Sequence, residues 1–170
     1  MINLRKTLNV ASESLQKESV SFALIGGFAL AAHGIHRATR DIDLLIDGSR
    51  KEDAKVVLQS NGFHLAFESA EVLQFDGLGY LDILLANRPL SLEMLEKSSA
   101  TEISGVKVVS PEGIIGLKIQ AYSNESSRKL RDLADIEALI RLDGIDLGQV
   151  KSYADLFDEW ETIQNLVEPK

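Results

Sequence analysis

Hydrophobic and polar positions follow two periods along this chain, and each period predicts a different kind of element. Apolar residues at Leu4, Leu8, Ala11 and Leu15 have helical spacing and predict an amphipathic helix over residues 3–18. Runs of strand type are found at Ser19–Ile25, from Asp41 to Asp47, and at Phe63–Phe67, Val72–Phe75, Tyr80–Leu85 and Val106–Val109. Short helices are predicted at Phe28–Ala32, from Ser49 to Asn61, and at Leu92–Lys97.

The last part of the chain has helical patterns only. Ser110-Pro111-Glu112 predicts a helix start, because serine can cap a helix and proline fits its first turn. Residues 128–142 place Leu130, Leu133, Ile136 or Glu137, and Ile140 on one stripe, and a last amphipathic segment runs from Leu147 to about Val167. We therefore expect an α/β (α+β) core over residues 1–109 and a helical region over residues 110–170 that closes a cleft.

Composition narrows the class of protein. At 170 residues, with 45% hydrophobic and 26% charged residues, the chain is long enough for one globular core with a helical appendage. It has no cysteine, which excludes disulfides and thiolate metal sites. No secretory signal or membrane-spanning run is evident, so we expect a cytoplasmic protein. The net charge of −8 argues against nonspecific nucleic-acid binding and leaves room for one specific RNA.

Two carboxylates on one strand are the first candidate for chemistry. Asp41 and Asp43 project from the same face, with α-carbons about 6.5 to 7 Å apart, while Ile42 and Leu44 project from the other. Like charges at close range resist joint ionisation, so a divalent cation such as Mg²⁺, which prefers oxygen ligands, is expected between them. The alternative is a solvated acidic edge without a metal.

The glycine pair Gly26-Gly27 ends the strand that precedes the acids. Glycines let backbone N–H groups approach a phosphate closely, and the helix that follows offers its positive N-terminal end. The pair therefore predicts a phosphate-binding turn. The alternative is an ordinary tight turn.

Asp82 and the two histidines His33 and His36 are further candidates, and each has an alternative interpretation. Asp82 lies inside an apolar strand, where an unpaired carboxylate is costly; it is either part of a site or an edge-strand acid that points to water. His33 and His36 have a spacing that can ligate a metal, but no third ligand motif accompanies them, so helix-end histidines are favoured.

The segment Ile25-Gly26-Gly27, Phe28 to Arg40, and Asp41-Ile42-Asp43-Leu44 resembles the signature of the nucleotidyltransferase superfamily. With Arg37, Thr39 and Arg40 leading into the aspartates, it is most similar to the AbiEii-type branch, which includes toxins of toxin–antitoxin systems. The resemblance implies a DNA polymerase beta-like core with a mixed sheet and helices on its outer face.

The resemblance also implies roles for individual residues. Asp41, Asp43 and Asp82 would be the catalytic and metal-binding carboxylates, and Gly26, Gly27, Thr39, Arg40 and Lys118 would bind the nucleotide. Arg37 would contact phosphate or shape the turn. Asp132 and Asp135 resemble an acidic motif of the branch, with Arg131 where lysine is typical. From the residues alone, Lys118 could equally be a surface lysine, and the two acids could form ion pairs on a helix surface.

The implied function is the transfer of a nucleoside monophosphate from an NTP, such as ATP, to a hydroxyl acceptor, with Mg²⁺ or Mn²⁺ as cofactor. The acceptor would be an RNA such as tRNA, a protein or a small molecule, and a cognate antitoxin is an expected partner. The alternative is a catalytically silent protein of the same fold that acts as a binding or regulatory partner. No Walker loop, Gly-x-Ser-x-Gly elbow or Gly-x-Gly-x-x-Gly motif supports another enzyme class.

Overall fold

The structure, a computed structural model, describes residues 3–100 and 105–167. Contacts divide the chain into two compact units. The first contains the chain up to Ala32 together with His36–Val109, and the second contains His33–Ile35 and the chain from Ser110 onward. That the helical region closes a cleft stays a prediction. None of the helices in the described part of the chain has the length and apolar character that a membrane span needs.

A seven-stranded mixed sheet forms the first unit, as the α/β prediction required. Its spatial order is β3-β4-β5-β2-β1-β7-β6. β2 pairs with β5, and β1 with β7, in parallel; the other neighbours are antiparallel. The strands are β1 (Phe22–Ile25), β2 (Asp41–Asp47), β3 (Phe63–Glu68), β4 (Val72–Gly77), β5 (Tyr80–Ala86), β6 (Ser99–Ala100) and β7 (Lys107–Val108).

The helices of this unit are α1 (Leu4–Lys17), α2 (Gly26–Ala32), α3 (Lys51–Ser60) and α4 (Pro89–Glu96). The predicted stripe of α1 is confirmed, because Leu8, Ala11 and Leu15 are buried. The prediction that Ser49 opens the next helix is wrong: Asp47 accepts the Ser49 N–H at 2.8 Å and caps a 3₁₀ turn that precedes α3. α4 begins earlier than predicted, at Pro89, because proline is well suited to the first position of a helix.

The two faces of the central strand β2 differ in burial at the start of the strand. Ile42, Leu44 and Ile46 are completely buried on one face, whereas Asp41 and Asp43 at its start are half-buried on the other. Ile25, the last residue of β1, lies opposite Asp43, and Tyr80, the first residue of β5, lies opposite Asp41. The acidic pair therefore sits at the end of the sheet where β1 ends and where β2 and β5 begin.

Four helices form the described part of the second unit: α5 (Pro111–Asn124), α6 (Lys129–Ile140), α7 (Leu147–Asp155) and α8 (Trp160–Val167). Ser110 caps α5 as predicted, since its hydroxyl accepts the Gly113 N–H at 3.1 Å. The predicted stripe of α6 is confirmed at Ile136, which is buried, and Leu133 and Ile140 are half-buried. It is wrong at Leu130, which is 86% exposed, and it missed the buried Asp132, Asp135 and Leu139.

The segment predicted as one helix from Leu147 to Val167 is two helices. Asp158 interrupts it with φ of +56°, and the Glu159 N–H donates to the Ala154 carbonyl at 3.0 Å. This is a Schellman-type helix end, in which a residue in the left-handed region closes the last turn. Its position was hard to predict because glycine, the usual residue there, is absent.

We predict that Asp158→Gly stabilises the protein by about 0.5 to 1 kcal/mol, because glycine adopts the left-handed conformation without a β-carbon penalty. The matched control is Ser152→Gly, inside α7, which should destabilise by about 0.5 kcal/mol through lost helix propensity. Urea denaturation of both variants measures the two free-energy changes. Destabilisation by Asp158→Gly would contradict the interpretation of this turn.

Candidate active site

Strand register brings three carboxylates together at the end of the sheet. Asp43 and Asp82 are direct partners on the parallel strands β2 and β5, and Asp41 lies two residues before Asp43. One carboxylate oxygen from each lies within 4.8 Å of the others, and all three residues are half-buried. The edge-strand interpretation of Asp82 is wrong, because β5 lies between β4 and β2. Three converging carboxylates suit a hard cation such as Mg²⁺.

Two side chains orient this acidic trio by hydrogen bonds. The Thr39 hydroxyl donates to Asp41 Oδ1 at 2.7 Å, and the Gln74 amide donates to Asp82 Oδ2 at 3.2 Å. Groups of this kind set the direction of a metal ligand. Thr39 was predicted to bind nucleotide; that role stays a prediction, and the structure places its hydroxyl on Asp41. Gln74 was not predicted, and only the register of the β4–β5 hairpin could have indicated it.

The two glycines make room for the same side chains. Gly26 has φ of +64°, and a β-carbon added there would lie 2.0 Å from Asp43 Oδ2. A β-carbon on Gly27 would lie 2.7 Å from the Thr39 hydroxyl oxygen. The pair forms the first turn of α2, whereas a turn before a helix at Phe28 was predicted. The first N–H groups of a helix have no partner within it, so they are suited to bind a phosphate.

The loop before β2 contributes exposed basic residues. Arg37 donates to the Ala38 carbonyl at 3.1 Å, and both Arg37 and Arg40 are exposed. A phosphate contact for either arginine stays a prediction. The acidic trio is the only cluster of three or more potential metal-ligating side chains among residues 3–100 and 105–167. His33 and His36 belong to no such cluster among these residues.

Lys118 and the two acids of the predicted motif form a buried cluster within the second unit. Lys118 Nζ lies 2.9 Å from Asp132 Oδ1 and 2.6 Å from Asp135 Oδ2. Arg128 Nε reaches Asp132 Oδ2 at 3.2 Å. The alternatives of a surface lysine and surface ion pairs are wrong, because Lys118 is only 6% exposed and both acids are buried. A phosphate contact for Lys118 stays a prediction.

The site can now be compared with known proteins. The family described as "Nucleotidyl transferase AbiEii toxin, Type IV TA system" matches residues 10–164. The chain belongs to this family. No curated protein matches the sequence. Membership confirms the resemblance inferred from the glycine pair and the aspartates, and it establishes an AbiEii nucleotidyltransferase.

Solved structures confirm the fold of this AbiEii protein. The antibiotic-resistance factor ANT(2'')-Ia superposes with a TM-score of 0.69 at 17% identity, over 97% of each chain. An antigenic nucleotidyltransferase-like protein from Paracoccidioides brasiliensis gives 0.60 at 20% identity, over 98% of this chain and 93% of that one. The lincosamide antibiotic adenylyltransferase LnuA gives 0.58 at 18% identity, over 80% and 96%.

We predict that Gly26→Ala weakens Mn²⁺ binding at least about tenfold, because its β-carbon would displace the Asp43 carboxylate. Gly34→Ala is the matched control, since Gly34 also has positive φ but nothing lies within 4 Å of its added β-carbon. Both variants carry the backbone penalty, and only Gly26→Ala carries the collision. Titration calorimetry with Mn²⁺ separates them; equal affinities would contradict the packing role of Gly26.

We predict that Lys118→Met destabilises the protein by about 3 to 5 kcal/mol, because it removes the buried ammonium group that Asp132 and Asp135 share. Lys97→Met, which breaks an exposed pair with Glu93 at the end of α4, should cost no more than about 1 kcal/mol. Urea denaturation compares the two. A triple variant, Lys118→Met with Asp132→Leu and Asp135→Leu, should recover part of the loss. If Lys118→Met is as mild as the control, the cluster does not hold this unit together.

Proposed function

We propose that this AbiEii protein transfers a nucleoside monophosphate from an NTP, such as ATP, to a hydroxyl group of an acceptor, with Mg²⁺ or Mn²⁺ as cofactor. The observation that carries the proposal is the convergence of Asp41, Asp43 and Asp82 within 4.8 Å. The hydrogen bonds from Thr39 to Asp41 and from Gln74 to Asp82, together with the start of α2 at Gly26, support an active enzyme rather than a catalytically silent binding protein. The context is a toxin–antitoxin pair in the cytoplasm, with a cognate antitoxin as partner.

The trio fits the cation that the reaction needs. Asp41, Asp43 and Asp82 would hold Mg²⁺ or Mn²⁺, and the metal, when bound, would neutralise charge on the phosphates and on the attacking and leaving oxygens. Thr39 keeps Asp41 in place through its 2.7 Å hydrogen bond. The residues proposed to hold the triphosphate are Gly26 and Gly27 through their N–H groups, Thr39, Arg40 and Arg37.

The chemical step replaces the phosphoanhydride bond between the α- and β-phosphates with a phosphoester bond to the acceptor. The acceptor hydroxyl oxygen forms a bond to the α-phosphorus, the bond from that phosphorus to the oxygen shared with the β-phosphate breaks, and pyrophosphate leaves. The hydroxyl proton passes to Asp82 or to water. Attacking and leaving oxygens lie roughly in line at phosphorus, so the acceptor and the pyrophosphate occupy opposite sides of the site.

Lys118 has a different role in this proposal. Its ammonium group is already held by Asp132 and Asp135 at 2.9 and 2.6 Å. We therefore assign the lysine and the acidic motif to the stability of the second unit, and a direct phosphate contact would require Lys118 to leave its partners.

Solved structures of the same fold bear on the class of acceptor. RNA such as tRNA, a protein and a small molecule all present hydroxyl groups. ANT(2'')-Ia has been solved with adenylyl-2"-tobramycin, and LnuA with lincomycin, so this fold holds small-molecule acceptors in other proteins. These neighbours support a small-molecule acceptor for the present chain.

We predict that Asp41→Asn and Asp43→Asn each lower transfer at least about 100-fold, because asparagine keeps the shape of the ligand and loses its charge. Asp47→Asn, at the other end of β2, is the matched control; asparagine can still cap the turn that Asp47 caps. Calorimetric titration with NTP in the presence of Mg²⁺ tests binding separately from transfer. Unchanged Mg²⁺-dependent NTP affinity in the Asp41/Asp43 double variant would refute the assignment.

A further inference from the structure

A row of side chains leads from the acidic trio to the edge of the sheet. Asp43 lies opposite Asp82, Asp82 opposite Gln74, and Gln74 opposite Phe67. Directly opposed residues of neighbouring strands project from the same face. The row therefore runs over one face of the sheet from β2 through β5 and β4 to the outer strand β3. A β-bulge between Leu65 and Phe67 puts Phe67 on this face.

This face carries two exposed aromatic rings. Phe67 and Tyr80 are each 52% exposed, and Tyr80 begins β5 opposite Asp41. Gln74, which lies between Phe67 and Asp82 in this row, is also exposed and donates to Asp82. Large apolar side chains left open next to a polar site indicate a binding surface, because burying them against a ligand is favourable. We name Gln74, Tyr80 and Phe67 the acceptor surface.

The position of this surface suits an acceptor. The glycine pair proposed to hold the triphosphate lies at the end of β1, on one side of β2, whereas the acceptor surface begins at β5, on the other side. In-line transfer requires the acceptor to approach from the side opposite to the leaving pyrophosphate. Asp82, which Gln74 orients, is the member of the trio on that side.

The chemistry of the surface indicates what it binds. β3, β4 and β5 contain no lysine or arginine, and His64 on β3 lies 3.4 Å from its partner Asp76 on β4. RNA binding depends on cationic contacts to phosphate, which these strands do not provide. Aromatic rings and carboxylates bind ring faces and amines instead. At a strand spacing of about 4.8 Å, Phe67 lies roughly 10 Å from Asp82, the length of a molecule of about two rings.

We propose that the acceptor surface binds a small, unphosphorylated, ring-bearing alcohol, neutral or cationic, and that Gln74 positions Asp82 toward its reacting hydroxyl. The inference rests on the proposed nucleotidyl transfer and names its substrate class. RNA and protein acceptors become outcomes that the experiment can distinguish.

The test uses the full chain with Mg²⁺ and NTPs that carry a radiolabel in the α-phosphate, which stays with the transferred group. The label is followed into three fractions of one cell extract: metabolites that pass an ultrafilter, total RNA and total protein. We expect new labelled products in the metabolite fraction, separated by chromatography from the unreacted NTP and its hydrolysis products. Label in RNA or protein instead would overturn the substrate class.

Alanine variants of the two aromatic residues test whether the acceptor binds at the acceptor surface. Phe67→Ala and Tyr80→Ala should each raise the metabolite concentration needed for half-maximal transfer about tenfold, with unchanged NTP affinity by calorimetry. Val56→Ala, which truncates an exposed side chain on α3, is the matched control and should behave as wild type. Aromatic variants that behave like this control, or that lose NTP affinity in parallel, would overturn the proposal.

Metal affinity tests the role of Gln74 separately, because a residue that positions Asp82 must affect how Asp82 binds the metal. Gln74→Ala should weaken Mn²⁺ affinity about tenfold without a change in stability to urea, and Gln74→Asn should not restore it, since its shorter amide cannot reach Asp82. Wild-type Mn²⁺ affinity in Gln74→Ala would refute this role.

Failure of the proposed function is distinguishable from failure of the surface. If wild type forms no labelled product in any fraction beyond the NTP and its hydrolysis products, nucleotidyl transfer is refuted, and the surface is then judged by binding alone. Saturation-transfer NMR of the metabolite fraction would compare wild type with the Phe67→Ala, Tyr80→Ala double variant. Bound metabolites that disappear in the double variant support the surface, and identical spectra refute it.

Discussion

Repulsion between three carboxylates is the constraint on which this site depends. Asp41, Asp43 and Asp82 place oxygens within 4.8 Å of one another, so their negative charges repel one another unless a cation lies between them. The sheet imposes this closeness, because the register of β2 and β5 opposes two of the acids directly. The unfavourable electrostatics are therefore set by the backbone pairing, and in the proposed function a bound cation offsets them.

The surroundings of the trio restrict each carboxylate in a different way. Thr39 holds Asp41 and Gln74 holds Asp82 by hydrogen bonds, whereas Asp43 fills space that only a glycine at position 26 leaves open. A site prepared in this way loses little freedom when a metal binds, which favours tight and well-directed coordination. The glycine pair thus serves the aspartates directly and also begins the helix that faces the nucleotide in the proposed reaction.

The second unit also contains two neighbouring carboxylates, and a lysine of the same unit forms ion pairs with both of them. Asp132 and Asp135 are also close and buried, but Lys118 supplies the cation from the chain itself and Arg128 adds a second one. The cation of the second cluster is part of the chain, whereas in the proposed function the acidic trio takes a metal ion from solution. This difference is the physical reason for assigning the trio to chemistry and the Lys118 cluster to stability.

The sequence alone determined the features that depend on neighbouring residues. The period of two put Asp41 and Asp43 on one face, the cap at Ser110 began α5, and the glycine pair with the Asp-x-Asp strand indicated the family, because each is local backbone chemistry. Only the tertiary structure decided that Gln74 contacts Asp82, that Lys118 is buried between two acids, and that Leu130 faces solvent. These contacts join residues brought together by strand register and helix packing, which local periodicity does not encode.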